Sequence, residues 1–451
     1  MTLIFLLLLL LAVMLYLGVP VALSLFLSAT AILLALDIPL VVAAQRMSAG
    51  VNIFTLMAIP LFILAGELMT QAGIARRLVN LSDSTLGAAP GGLGQVTILS
   101  SMLFGAVSGS ALASASAMGS AIGPEMRERG FDADYTVNVS TTASITGLLI
   151  PPSHNMIIYA TAAGTGISIG DLFLGGVVPG ILTGLALMVV AAIVATRRGY
   201  PRGSFPGWRP LIRAGASAFP GILTAVIILV GILAGIFTPT ESAAIACAYT
   251  LVIGALLYRD LDFERLQAAF VNSARTTIMV MFIIATASLF GWVLAVLQAP
   301  AQLAELLAPA MMSPLLTLLL IALMLLVLGT FMDMAPLILI TTPIFLPIAT
   351  EVGMDPVQFG IMLMLALGIG LLTPPVGSVL FVGCAAQNIP IGQALKTIWP
   401  FYLALLFALL LELYFSDPAR GTAAPAHKRC VGHFDINGID CEIERVSARA
   451  A

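Results

Sequence analysis

The stretch GLLIPPSHNMIIYA, residues 147–160, sets two adjacent prolines and then Ser153, His154 and Asn155 into a run that is otherwise apolar. Proline lacks a backbone N–H and its ring clashes with the carbonyl one turn back, so Pro151-Pro152 interrupts any helix that reaches it. The same interruption returns as GLLTPPVGSVLFVG at residues 370–383. A lone proline in an apolar helix reads as a kink. Two Pro-Pro breaks, each preceded by Gly-Leu-Leu, read as one device used twice.

Shifting the chain against itself by 223 residues lays 124–152 on 347–375 without a gap, and ten of the 29 positions are identical. They are Pro124/Pro347, Glu128/Glu351, Gly130/Gly353, Asp132/Asp355, Ala143/Ala366, Gly147/Gly370, Leu148/Leu371, Leu149/Leu372, Pro151/Pro374 and Pro152/Pro375. Chance in so biased a composition gives about two to four. The matches fall mostly on turn and helix-breaking residues, which marks an internal duplication. The expected halves are 1–195 and 219–416. Between them, at 196–218, lies the most basic connecting loop, with Arg197, Arg198, Arg202, Arg209 and Arg213; the positive-inside rule puts it in the cytoplasm.

Sixty per cent of the 451 residues are hydrophobic and 9% charged, and mean hydropathy is +1.09. A water-soluble domain carries about a quarter charged residues, so a soluble fold is excluded. Successive apolar runs from Met1 to about Phe415, at roughly 20 residues per span, give on the order of 10–14 membrane segments. The first run lacks a basic leader and is followed at once by a second, so it reads as a retained membrane helix rather than a signal peptide. The class is an all-α polytopic membrane protein in a lipid bilayer. A net charge of −3 argues against nucleic acid as a partner. Neither lysine, Lys396 or Lys428, lies in a phosphate-binding GxxxxGK[ST] loop. An intramembrane enzyme needs a nucleophile–base pair or clustered metal ligands; one membrane histidine, no HExxH and no aspartate-rich motif speak against it. Cys247 and Cys384 lie in apolar runs, where a small buried hydrophobe is the ordinary role.

Each half carries a second irregular segment upstream of its break. GAVSGSALASASAMGSAIGP, residues 105–124, is rich in Ser, Ala and Gly, and GTFMDMAPLILITTPIFLP, residues 329–347, carries Asp333, Pro336, Thr341, Thr342 and Pro343. Gly105 and Gly109 form a GxxxG, a pattern of close helix packing. Recurrence at matching places in the two halves favours re-entrant hairpins, at about 100–124 and 329–350. Irregular backbone at membrane depth is tolerated only when buried in protein or lining a watery cavity. The broken helices are expected at about 138–163 and 358–386. Paired Gly/Pro-interrupted segments at matching positions point to a transporter's binding site. Carbonyls freed by the prolines can coordinate a hard cation such as Na⁺, and half-helix N-termini can face an anionic group.

Polar residues around these breaks are the candidates: Ser108, Gly109, Ser110, Pro151, Pro152, Ser153, Asn155, Asp333, Thr373, Pro374, Pro375, Gly377 and Ser378. Glu67 in IPLFILAGELM and Glu241 in GIFTPTESAA are acids within apolar sequence and so candidates by cost alone. For Glu241 the competing reading is a first-turn acid behind an N-cap at Thr240. His154 reads as a hydrogen-bonded neighbour of the break rather than a proton relay.

IPLFILAGELM (59–69), GAVSGSALASASAMG (105–119), GLLIPPS with IIYA (147–160), GIFTPTESAA (235–244) and GLLTPPVG (370–377) together resemble the large membrane subunit of tripartite ATP-independent periplasmic (TRAP) transporters. The resemblance covers about 1–416. It implies an inverted-repeat, elevator-type fold with a scaffold and a mobile unit bearing two re-entrant hairpins. It further implies Na⁺-coupled uptake of an organic acid, of the C4-dicarboxylate, sugar-acid or 2-oxo-acid type, across a bacterial inner membrane, with no cofactor. The implied partners are a small four-helix membrane subunit and a periplasmic substrate-binding protein. Carried over by motif, ion and substrate would lie among 108–111, 151–155, 333–336 and 373–378. The tail 417–451 departs from the family and reads as disordered; its His427, Cys430, His433 and Cys441 match no metal-module spacing.

Overall fold

The first helices, α1 (Thr2–Tyr16) and α2 (Val21–Ala35), are strongly apolar with no charged residue, and Ser24 and Ser28 of α2 are buried, the pattern of helices without a solvent-facing polar stripe. In this computed structural model residues 2–164, 166–201, 203–307 and 313–415 are described; the tail at 417–451, with its two histidines and two cysteines, lies outside them. The chain continues through α3 (Val41–Val51), a 3₁₀ turn at Phe54–Met57, and α4 (Ala58–Gln71). Gly73, at φ +69, turns it into the amphipathic α5 (Ile74–Leu86), which buries Ile74 and Leu78. Then come α6 (Gly92–Ser108) and α7 (Ala111–Glu128), joined by a two-residue turn.

The first break divides α8 (Ala133–Ser144) and the single turn α9 (Thr146–Leu149) from α10 (His154–Ala163). The long α11 (Ile169–Arg198) closes the first half. The second half opens with α12 (Trp208–Leu233) and α13 (Pro239–Val252), the latter running on into a π turn at Ile253–Tyr258. It continues with α14 (Phe263–Val296), α15 (Ala299–Leu307), α16 (Pro314–Gly329) and α17 (Met334–Glu351). The second break separates α18 (Pro356–Gly370) from α19 (Ser378–Gln387), and α20 (Ile391–Leu395) and α21 (Trp399–Phe415) end the described chain.

Among the described residues six helical stretches are long and apolar enough to cross a membrane, and shorter apolar helices of 10–17 residues accompany them. Several of the short ones are limbs of the paired and broken helices, and α17, a limb of the second pair, is among the six long ones.

Packing sorts the helices into two groups. The first comprises α1–α4 with α12–α14, and the second α6–α11 with α16–α21. The groups meet where α4 touches α6 and α10, where α12 touches α6 and α11 and where α14 touches α17, while α5 leans on both α6 and α12 and α15 on both α14 and α17. The duplicated Asp132 and Asp355 both sit at helix N-caps. Asp355 Oδ1 accepts from the Val357 N–H at 2.8 Å. Asp132 instead takes the Tyr200 hydroxyl at 2.6 Å and Arg198 at 3.0 Å, and Arg198 also holds Asp134. In this way the first half uses its connecting loop to clamp the start of its broken helix.

Candidate functional site

Gly109 ends α6 at φ +62 and Ser110 is extended, its hydroxyl accepting the Ala113 N–H at 3.3 Å as the N-cap of α7. The α6–α7 turn is seated on the first break. A Cβ on Gly109 would stand 2.8 Å from the Pro152 carbonyl oxygen and 3.0 Å from the Ser153 Cα. The second half repeats the arrangement with different atoms: the turn between α16 and α17 meets the second break through Val376 N–H donating to the Thr330 carbonyl at 3.1 Å. Both Pro-Pro peptide bonds are cis.

What lets each turn come so near is a glycine pair. Gly105 on α6 faces Gly147 just before the first break, and a Cβ on Gly147 would lie 2.8 Å from the Gly105 Cα. Gly329 on α16 faces Gly370 in the same way, at 2.6 Å. The GxxxG glycine thus serves close packing and the turn together. Gly147 and Gly370 stand out in the duplication, but their partners do not. Shifted by 223, Gly105 falls on Leu328, one residue short of Gly329.

Four helices begin at the two breaks and turns: α7 after Ser110, α10 after Ser153, α17 after Asp333 and α19 after Gly377. The first N–H groups of a helix lack intrahelical partners and carry partial positive charge. The packing is crossed, because α7 of the first half lies on α19 of the second, and α17 of the second lies on α10 of the first. Gln387 of α19 nests over Gly119 and Gly123 of α7 and donates to Ser140 at 2.7 Å, while Tyr159 of α10 donates to the Pro356 carbonyl at 2.5 Å.

The donor set is oxygen. Within 105–111, 147–155, 329–336 and 370–378 the only charged residue is Asp333, and the only other titratable group is His154. The buried hydroxyls of Ser108, Ser153 and Ser378, and that of Ser114 one turn into α7, have no hydrogen-bond partner among the described residues. Buried polar groups are nearly always satisfied; hydroxyls at Ser100, Ser101, Ser242, Thr250 and Thr342 are unpartnered as well, and what distinguishes these four is their place, at or within about a turn of the helix breaks and the α6–α7 turn. Thr373, just past the end of α18, is satisfied by donating to the Ile369 carbonyl at 3.0 Å. Ser153 and Asn155 are buried with Pro151 and Pro152, whereas Pro374 and Pro375 are exposed. Oxygen donors of this kind suit a hard cation, and no cluster of three His, Cys, Asp or Glu occurs among the described residues.

The helix pair of the second half does not begin at 329. That position is the end of its first limb, α16, whose leucine-rich sequence reads like an ordinary span. Likewise the first pair extends over 92–128 rather than 100–124. Glu241 lies apart from the breaks. It is exposed and closes a capping box in which Thr238, not Thr240, is the cap: the Thr238 N–H donates to Glu241 Oε2 at 2.8 Å and the Glu241 N–H to Thr238 Oγ1 at 3.3 Å. Glu67 lies on α4 within the first helix group, where α4 packs on α14. Its neighbour Gly66 is the residue that touches the site, since a Cβ there would lie 3.5 Å from the Ser108 Cα. Sequence reading passed over Gly66 and Ser114 because neither is costly in lipid.

Residues 8–417 match the model of the family described as tripartite ATP-independent periplasmic transporter, DctM component. The chain is 41% identical over 372 residues to the C4-dicarboxylate TRAP transporter large permease protein DctM of Pseudomonas aeruginosa, covering 82% of this chain and 86% of that one. It is 38% identical over 403 residues to the sialic acid TRAP transporter large permease protein SiaM of Vibrio cholerae, covering 89% and 94%. Its fold resembles the crystal structure of the Alcanivorax borkumensis YdaH transporter, with a TM-score of 0.58 at 16% identity over 84% of this chain and 88% of that one.

Proposed function

Since this chain belongs to the DctM-component family of tripartite ATP-independent periplasmic transporters and is a large permease subunit rather than an enzyme, we propose that it imports an organic acid across the bacterial inner membrane, driven by Na⁺. The observation that carries this reading is the pair of breaks, each with a helix turn seated on it and with unpartnered hydroxyls at Ser108, Ser153 and Ser378. A hydroxyl or carbonyl oxygen held out of water without a donor is prepared for a cation. Helix N-termini opening at the same place favour a carboxylate. Ion and substrate then stabilise one another, which is the coupling a symporter needs.

In this reading α6–α7 and α16–α17 are re-entrant hairpins, and the helix group that bears them moves past the other as a rigid body, in the elevator manner. The relatives named for C4-dicarboxylate and sialic acid support a carboxylate-bearing substrate. The partners are a small four-helix membrane subunit and a periplasmic binding protein that delivers the acid.

Uptake of a panel of labelled organic acids into proteoliposomes tests the whole reading, using this chain with its small membrane partner under an inward Na⁺ gradient, with and without the binding protein. Uptake requiring both Na⁺ and the binding protein is expected. Uptake indifferent to Na⁺ would overturn the coupling, and uptake without the binding protein would make this a stand-alone transporter.

A further inference from the structure

Away from the two breaks, α5 and the first turns of α12 form an open pocket of about 420 Å³. The exposed Arg209 and Arg213 line it from α12, one helical turn apart, with Ser217 below them and Asn80 of α5 opposite. Among the described residues no carboxylate lines it. Neither arginine has an ion-pair partner among the described residues, whereas nearby Arg77 holds Asp260 at 2.7 Å and Arg265 faces Asp262. Like charges four residues apart on a helix repel, so two bare guanidinium groups on one face are an arrangement that an anion relieves.

The level of the pocket identifies the anion. Trp208 opens α12, a helix long and apolar enough to span the membrane, and is 73% exposed. It packs edge-on against Phe205 with ring centroids 5.6 Å apart. Exposed tryptophan at the end of a span belongs at the headgroup level of a bilayer. Ile212, 69% exposed on the next turn, offers acyl chains an apolar neighbour just beneath. The loop leading into α12 is the arginine-rich one, so the positive-inside rule assigns this end to the cytoplasmic leaflet. Basic pockets between helices on that side suit anionic lipid headgroups.

We propose that this pocket seats the phosphate of an anionic phospholipid of the cytoplasmic leaflet. Arg209 and Arg213 hold its oxygens and the Asn80 side chain spans from α5. Because α5 also leans on α6, the lipid fastens α12 to the element that leads into the first helix pair. The inference rests on membrane insertion alone and stands whether or not the transport reading does.

Tryptophan quenching by brominated lipid tests it. The chain has three tryptophans; Trp292→Phe with Trp399→Phe leaves Trp208 as the reporter, in proteoliposomes of phosphatidylcholine doped with brominated phosphatidylglycerol or brominated phosphatidylcholine. The phosphatidylglycerol probe is expected to quench Trp208 at a much lower mole fraction than the phosphatidylcholine one. Arg209→Ala with Arg213→Ala should lower that relative affinity roughly tenfold or more. The double Lys variant should keep most of the preference, and Arg197→Ala, exposed elsewhere on the loop side, should leave it unchanged. Equal quenching by the two probes overturns the proposal, as does a preference that survives loss of both arginines. Displacement of the preference by millimolar inorganic phosphate would make the pocket a soluble-anion site and overturn the lipid.

Discussion

A hydroxyl with no partner and a glycine with no room behave oppositely under mutation, and the site is built from both. Ser153 and Ser378 hold nothing among the described residues, so Ser153→Ala and Ser378→Ala remove a desolvated orphan and should leave thermal stability unchanged or slightly raised. If the hydroxyls are ion ligands, each change should raise the Na⁺ concentration for half-maximal uptake roughly tenfold, the worth of about 1.4 kcal/mol. A drop in melting temperature with unaltered Na⁺ dependence would assign these serines to packing instead. Gly105→Ala, by contrast, sets a methyl group against the Gly147 backbone and should cost about 1–3 kcal/mol, as overpacking does. Gly215→Ala, with open space around it, should stay within about 1 kcal/mol of the parent. Thermal unfolding in micelles compares the two. The prolines and Gly147/Gly370 were legible as sequence because duplication preserves breakers. Gly329 was not, because a one-residue slip hides it, and the solitary Gly66 carries no signal until the chain has folded.

At the scale of elements, the capping box at the head of α13 and the break between α9 and α10 are both local devices with separable consequences. Glu241→Ala removes an acceptor for the Thr238 N–H and hydroxyl. It should lower stability by about 0.5–2 kcal/mol, in the range of lost caps, and leave Na⁺ dependence where it was; a shift in that dependence would return Glu241 to the list of site residues. Pro151→Ala with Pro152→Ala restores two N–H donors where the chain now has none, and so lets α9 and α10 fuse. Na⁺ dependence should weaken strongly while the protein still inserts, and unaltered Na⁺ affinity would show the break to be only architectural. That the helices break here could be read from composition, since proline acts through covalent geometry. Where the α16 limb starts could not, because a leucine-rich stretch reads the same whether it spans the membrane or folds back halfway.

For the molecule as a whole, one of the places where the two helix groups touch is Gly66 of α4 against Ser108 at the tip of α6. Cβ atoms at these positions would stand 4.0 Å apart, inside the roughly 3.5–4.5 Å that a disulfide requires. In a background lacking the native cysteines, Gly66→Cys with Ser108→Cys should crosslink on oxidation, abolish uptake, and recover it on reduction. Full uptake by fully crosslinked protein would sink the moving-group mechanism. The two-group division itself was not legible in the sequence, which orders helices along the chain and not in space. Its crossed pairing, α7 on α19 and α17 on α10, bears on how a cell makes the protein. When the ribosome has delivered only the first half, the glycine notch of α7 and the inner face of α10 have nothing yet to receive, and the half-helices stand in lipid with their broken ends bare. The nascent chain must therefore be held until its second half arrives, and the junction between the halves is the point at which membrane quality control has most to do.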